Sequence, residues 1–251
     1  MALHALRRSQ EPERFVTSGE APSFSFAFQP IVDAPATRVH SYEALIRGAG
    51  GESAYSVLKQ LSRDDLPLFD AQARLVAVRL AAKLGLTTRL NLNCVPASLV
   101  IREPSETIDA IVGSGLALAQ IVVEVTEEHA IVDVQSFQVA VSVYREAGVK
   151  IAIDDFGAGH SGLNLLADFQ PDIVKLDLAL VRGIDGHGPR QAIVRAIVQC
   201  CGDLGIDVIA EGVESAAEYR FLRRLGIELF QGYLFAKPTF ERFPPIELTS
   251  W

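Results

Sequence analysis

FSFAFQPIVDAPATRVHSYEALIRG (24–48) decides the fold. Two runs rich in aromatic and β-branched residues, FSFAFQPIVD (24–33) and RVHSYEALIRG (38–48), flank the short link APAT. Parallel strands need a crossover of about a dozen residues or more, so two strands joined this tightly run antiparallel if they pair. Beyond residue 48 the rhythm changes to helix followed by strand. FDAQARLVAVRLAAKLGL repeats apolar residues at helical spacing and leads into RLNLN. ETIDAIVGSGL precedes QIVVEVTE, QSFQVAVSVYREAG precedes VKIAIDD, and SGLNLLADFQ precedes DIVKLD. RQAIVRAIVQCCGDLG then leads into DVIAEG, and SAAEYRFLRRLG into ELFQGY. Eight strands alternating with helices after an opening hairpin predict an α/β fold, a modified (β/α)8 barrel of the TIM type with one antiparallel strand. An open doubly wound sheet is the competing layout, but it rarely puts a polar residue at the end of nearly every strand.

The chain of 251 residues, 49% hydrophobic, suits one barrel with a continuous core. We read residues 1–22 as a flexible lead-in and 23–251 as the barrel domain. A formal charge of −8 argues against a surface that coats DNA or RNA. Cys94, Cys200 and Cys201 have neither metal-ligand spacing nor the even count of a disulfide framework, which points to the reducing cytoplasm. No apolar run reaches the roughly 18 residues of a membrane span, and residues 1–22 lack the apolar stretch of a secretory signal.

Chemistry concentrates at the strand ends. Glu43, Asn91, Glu124, Glu127, Asp154, Asp155, Lys175, Asp177, Glu211 and Gln231 all close or follow β-like runs. In a parallel barrel those ends meet at one mouth, where such folds keep their active sites. Like charges about 4 Å apart repel by roughly 4 kcal/mol at an effective dielectric near 20, and divalent cations relieve such crowding. Within DDFGAGHSGL (154–163) adjacent aspartates cannot both point inward by simple alternation, so the chain must turn there, with Gly157 and Gly159 permitting it. An ordinary Asp-Gly turn is the bland alternative. In AEGVES (210–215) Glu214 fits a helix start capped at Ser215, whereas Glu211 does not. Lys175 can pair with an acid or serve as a base, and burial or a metal would lower its pKa. The histidines have no zinc-site spacing, and no glycine-rich nucleotide loop is present.

The ordered set EAL-x-R (43–47), N-x-N (91–93), E-x-T-E (124–127), DDFG-x-G (154–159), K-x-D (175–177), EGVE (211–214) and QGYLF-x-K-P (231–238) resembles the EAL-domain family across nearly all of 24–240. The resemblance implies a barrel with one antiparallel strand and hydrolysis of the bacterial messenger cyclic di-GMP to linear 5′-pGpG with Mg²⁺ or Mn²⁺, by two ions, in a homodimer. It implies Glu43, Asn91, Glu124, Asp154, Asp155 and Glu211 as metal ligands. Lys175 would position or deprotonate the attacking water, Gln231 would support the water and metal shell, Gln29 and Arg47 would hold the substrate backbone, and Glu127 would steady the DDFG loop. Five carboxylates and one lysine leave a formal charge of −4 there, which two divalent ions neutralise. The segment 48–70 looks like the variant joined to flavin-based light sensors, which suggests an upstream sensor or regulatory partner. His160 stands where the family commonly has tyrosine.

Two other functions compete. A catalytically silent member would bind cyclic di-GMP or a protein partner, but such relatives usually lose a metal ligand and none is missing here. A metal-dependent enzyme that enolises a carboxylate substrate would also use strand-end acids and a lysine. Arg47 and the twin aspartates favour a phosphate ester instead.

Overall fold

The computed structural model describes residues 22–101, 103–126, 133–158, 166–167 and 170–246. The strands are β1 (Phe24–Asp33), β2 (Arg38–Gly48), β3 (Arg89–Cys94), β4 (Ile121–Thr126), β5 (Lys150–Phe156), β6 (Ile173–Leu176), β7 (Asp207–Ala210), β8 (Leu229–Phe230) and β9 (Thr239–Phe240). β2 to β8 pair in sequence order, all parallel, and β1 closes the ring by pairing antiparallel with both β2 and β8. The expected hairpin and the reversed strand are both present, and the open-sheet alternative is excluded. β9, a two-residue strand that pairs antiparallel with β1 beside the barrel, was not expected from the pattern of residues.

Around the strands lie α1 (Ala54–Leu58), α2 (Leu66–Lys83), α3 (Pro104–Gly113), α4 (Val134–Glu146), α5 (Leu178–Val181), α6 (Gly188–Leu204) and α7 (Ala216–Arg224). Strand residues that alternate outward meet these helices. Leu90, Leu92, Val123, Val125 and Ile151 join the core formed with α2, α3 and α4. Val174, Leu176, Ala210 and Phe230 join the core formed with α6 and α7. Each such fully buried aliphatic side chain stabilises the fold by roughly 1.5–3 kcal/mol. α6 ends at Gly205, whose φ of +71° makes the left-handed C-cap. α7 begins with a capping box between Ser215 and Glu218. The three cysteines are unpaired; Cys94 and Cys201 fill core, while Cys200 is only half-buried. No helix among the described residues is long and apolar enough to cross a membrane.

One close approach fixes how β8 exits the barrel. A Cβ on Gly232 would lie 2.0 Å from the Val213 carbonyl oxygen and 2.4 Å from its amide nitrogen, and neither backbone atom can swing aside. Gly113, at the end of α3, has nothing within 4 Å of such a Cβ. Gly232→Ala is therefore expected to destabilise the chain by about 1–3 kcal/mol or more, and Gly113→Ala to stabilise it by roughly 0.4–1 kcal/mol. Urea unfolding of the two variants beside the parent checks the contrast.

Candidate active site

Strand alternation delivers the polar residues. Inside the barrel Ile31, Val122, Ala152, Ile173, Ile209 and Leu229 pack into one apolar cluster. Because side chains on one face recur every second residue, the next inward positions toward the mouth are Gln29, Glu124, Asp154, Lys175, Glu211 and Gln231. The reversed β1 reaches the same level by stepping backward, and its register sets Gln29 opposite Glu43 of β2. The apolar cluster thus floors a polar layer.

Lys175 is the centre of that layer and is 1% exposed. Its Nζ lies 2.6 Å from Glu211 Oε1, 2.9 Å from Glu124 Oε2, 2.9 Å from Asp154 Oδ1 and 3.4 Å from Glu43 Oε2. Burial alone would lower the lysine's pKa, as the sequence suggested. The structure corrects this: Asp154, Glu124, Glu211 and Glu43 together outweigh burial and hold it well above its ordinary value. Metal-free, Lys175 is a fixed cation rather than a base.

The carboxylates respond unequally. Burial pushes Glu124 up to about 8, with Glu43 and Asp154 adding to the rise and Lys175 opposing it. Burial likewise raises Glu211 well above the carboxylate range, against the pull of Lys175. Glu43 is buried too, but Lys175 and donors from Gln231 and Asn93 bring it below its usual value. The Gln231 amide donates to Glu43 Oε2 at 2.7 Å and Asn93 donates to Glu43 Oε1 at 2.8 Å. Asn91 donates to Glu124 Oε1 at 2.7 Å, and Gln231 reaches Gln29 Oε1 at 3.3 Å. Sequence reasoning assigned no role to Asn93, although its position two residues beyond Asn91 placed it on the same face.

Asp155 enters by a different device. The β5–β6 register advances three residues on β5, from Ile153 to Phe156, against two on β6, from Val174 to Leu176. That bulge re-aims the strand end. Asp155 itself takes φ +52°, and Gly157 follows at +99°. The predicted turn is real, but an aspartate rather than a glycine begins it. Gly159, His160 and Glu127 lie outside the described residues.

The donor set suits hard divalent cations. Oxygens of Glu43, Glu124 and Asp154 come within 4.8 Å of one another, as do those of Asp154, Asp155 and Glu211, so Asp154 belongs to both groups. Asn91 Oδ1 is buried and accepts no hydrogen bond among the described residues, and the buried Asp154 Oδ1 meets the Lys175 ammonium at 2.9 Å. Such acceptors are what Mg²⁺ or Mn²⁺ coordinates.

Above this layer opens a cavity of about 490 Å³, lined by Gln29, Glu43, Asp154, Asp155, Lys175, Glu211 and Gln231 together with rim residues from the following loops. Arg47 is not in its lining. It donates to the Ile46 carbonyl at 2.7 Å and lines an adjoining, largely apolar cavity of about 340 Å³ with Phe26, Leu58, Phe69 and Asn93. The divergent segment 48–70 forms α1 and the start of α2 along that second cavity.

A profile of the EAL domain matches residues 13–238. The chain is 37% identical over 225 residues to the blue light- and temperature-regulated antirepressor BluF of Escherichia coli, covering 88% of this chain and 56% of BluF. It is 33% identical over 227 residues to the cyclic di-GMP phosphodiesterase NbdA of Pseudomonas aeruginosa, covering 84% of this chain and 28% of NbdA. Among solved structures, the calcium and cyclic di-GMP complex of Klebsiella pneumoniae BlrP1 superposes with a TM-score of 0.85 at 40% identity, over 92% of this chain and 60% of BlrP1. The chain thus spans little more than half the length of BluF and of BlrP1.

The raised pKa values of Glu124 and Glu211 couple metal binding to protons. Below about pH 8 Glu124 holds a proton in the metal-free chain, and ligation must expel it. Affinity for Mn²⁺ is expected to rise between pH 7 and pH 9, with fewer protons released per ion at the higher pH. Calorimetric titration in buffers of different ionisation enthalpy measures both.

Proposed function

Because the chain belongs to the EAL domain family, we propose that it is a metal-dependent phosphodiesterase that opens cyclic di-GMP to linear 5′-pGpG. The observation that carries this reading is the pair of carboxylate groups sharing Asp154 at the floor of an open cavity. Phosphodiester hydrolysis needs charge stabilisation at the attacking and leaving oxygens, and two such groups supply two adjacent cation sites. Glu43, Asn91, Glu124, Asp154, Asp155 and Glu211 would hold Mg²⁺ or Mn²⁺, which lowers the pKa of bound water and neutralises phosphate charge.

The chain's own side chains orient the chemistry. Asn93 and Gln231 fix both oxygens of Glu43, and Asn91 fixes Glu124, as outer hydrogen bonds do for ligands generally. Lys175, a fixed cation in the metal-free chain, lines the cavity where it can position the attacking water or donate to a phosphate oxygen. Gln29 holds the substrate backbone from the cavity wall. Arg47 does so from the adjoining cavity, and Glu127 steadies the loop after β5. The three unpaired thiols suit a cytoplasmic setting, and the relation to BluF suits control by a sensor.

Purified protein with Mn²⁺ is expected to convert cyclic di-GMP to pGpG, resolved by chromatography, and Asp154→Asn to lose that activity by at least about a hundredfold with the fold retained. Lys175→Ala should lower turnover more than it weakens Mn²⁺ binding. Binding of cyclic di-GMP with no turnover at saturating metal would make the chain a receptor and sink the enzyme reading.

We also propose a homodimer, formed beside the loop after β5 and α6. α6 buries Val194, Ile197 and Cys201 inward, yet leaves Ile193 half exposed at 50% and Leu204 at 47%. Sedimentation should give a dimer at micromolar concentration that Ile193→Glu weakens; an unchanged monomer in both would refute it.

A further inference from the structure

The barrel has a second polar end, opposite the carboxylate mouth. Arg89, Lys150 and Asp207 stand two residues before the inward positions Asn91, Ala152 and Ile209, and Asp33 stands two residues past Ile31 on the reversed β1. Alternation sets all four inward beneath the apolar cluster. His40 joins them by a bulge. Ile31 pairs with Ser41 and Val32 with Val39, which leaves His40 without a partner on β1. Arg38, His40 and Arg89 line a cavity of about 370 Å³ at this end, together with Asp33, Asp207 and Glu228. Ile206, Ile227 and Leu229 add apolar wall.

Most of the charge here is matched. Asp33 accepts from Arg38 Nε at 3.2 Å and from the Ala36 amide at 3.1 Å, and Lys150 Nζ lies 3.8 Å from Asp207 Oδ2. Glu228 is exposed and keeps its hydration. Arg89 differs. It is half-buried, it forms no ion pair among the described residues, and its Nε is buried without a hydrogen-bond partner. Its Nη1 lies 3.4 Å from His40 Nε2. A guanidinium only donates, so His40 meets it as a neutral ring with Nε2 unprotonated. Burial, and then the charge of Arg89, hold the His40 pKa below its ordinary value; Lys150 adds to the drop, while Asp33 and Asp207 oppose it. A guanidinium does not shed its proton, so burying one without an anion is costly.

Such a cation calls for an anion of matching charge. A carboxylate would match Arg89 alone. A phosphate monoester carries about −1.5 to −2 at pH 7, which matches Arg89 together with a protonated His40, and a planar guanidinium suits its oxygens. A bare phosphate fills only part of a cavity of about 370 Å³. The acids Asp33, Asp207 and Glu228 offer acceptors to hydroxyl groups on the rest of such an ester. We propose that the cavity at Arg89 and His40, at the N-terminal ends of the parallel strands, binds a small phosphate monoester bearing hydroxyl groups. Strand direction puts this site at the far end of the barrel from the metal ligands, so its ligand does not compete with metal or diester. The proposal stands independently of the phosphodiesterase reading.

The test is calorimetric titration of the full chain, stripped of metal by chelation and dialysis so that no cation at the other mouth holds phosphate. The probes are inorganic phosphate, ribose 5-phosphate and acetate at constant ionic strength. Both phosphates are expected to bind saturably at one site, ribose 5-phosphate more tightly, and acetate not to saturate. Arg89→Met should weaken both by at least about tenfold. Without ligand it should melt no lower than the parent, because it removes an unpaired cation. Arg182→Ala, at an exposed arginine of the metal-site cavity, should bind as the parent does. In the parent, the NMR titration midpoint of the His40 ring should rise with ribose 5-phosphate, since a bound anion favours imidazolium, and stay put with acetate. Absence of saturable binding, or unchanged affinity in Arg89→Met, would overturn the proposal. So would loss of binding in Arg182→Ala, which would locate phosphate at the metal mouth, or an equal His40 shift with acetate. Ribose 5-phosphate no tighter than inorganic phosphate would replace the ester with free phosphate. None of these readouts needs turnover, so a chain that hydrolyses no diester still decides this site.

Discussion

A lysine with four carboxylates within 3.4 Å of its ammonium group, almost wholly removed from water, is the constraint on which the rest of this barrel depends. Each ion pair at such a distance is worth about 4 kcal/mol at an effective dielectric near 20, but burying the charges costs several kcal/mol per ion. The arrangement is stable only if every partner arrives at once, and Lys175 of β6 draws its four partners from the ends of four other strands, β2, β4, β5 and β7. Closure of the barrel and assembly of the charged layer are therefore the same event. The antiparallel β1 belongs to that event as well, because it completes the ring between β2 and β8 and sets Gln29 against Glu43 and Gln231.

One cation cannot satisfy that many anions, and the surplus negative charge is the functional content of the site. Protons absorb part of it in the metal-free chain, most clearly on Glu124. Divalent ions would absorb it in the working form, displacing those protons. The amides of Asn91, Asn93 and Gln231 hold carboxylate oxygens in place without adding charge. They let the acids stay close and oriented while their demand for cations remains. An all-apolar layer at this level would be easier to bury, but it could not gather metal.

The reading from sequence went furthest where periodicity carries direct physical meaning. The short link after residue 33 forced a hairpin, and helix-strand alternation beyond it forced parallel neighbours. Strand-end polarity then pointed to the mouth, so Glu43, Asn91, Glu124, Asp154, Lys175, Glu211 and Gln231 were all recognisable as candidates. Less legible features depended on contacts between distant segments. β9 is too short for a periodic signal and exists only because β1 offers it an edge. The protonation of Lys175 could not be inferred from burial alone, because the opposing carboxylates come from four other strands. The placement of Arg47, expected to hold the substrate backbone, in the lining of a neighbouring cavity was likewise not legible from its position in the motif.

The amino-acid sequence by itself determined the order of strands, the one reversed strand and the identity of the polar residues that end on the inner face, because a period of two and a minimum crossover length are local properties of the chain. Tertiary structure alone decided the protonation of those residues, the bulge that turns Asp155 at the end of β5, and the carboxylate of Glu218 that ties two rim loops together through the Gly183 and Glu214 amides. Each of these is set by the distance between atoms far apart in the chain, and electrostatic and steric terms depend on that distance rather than on sequence order.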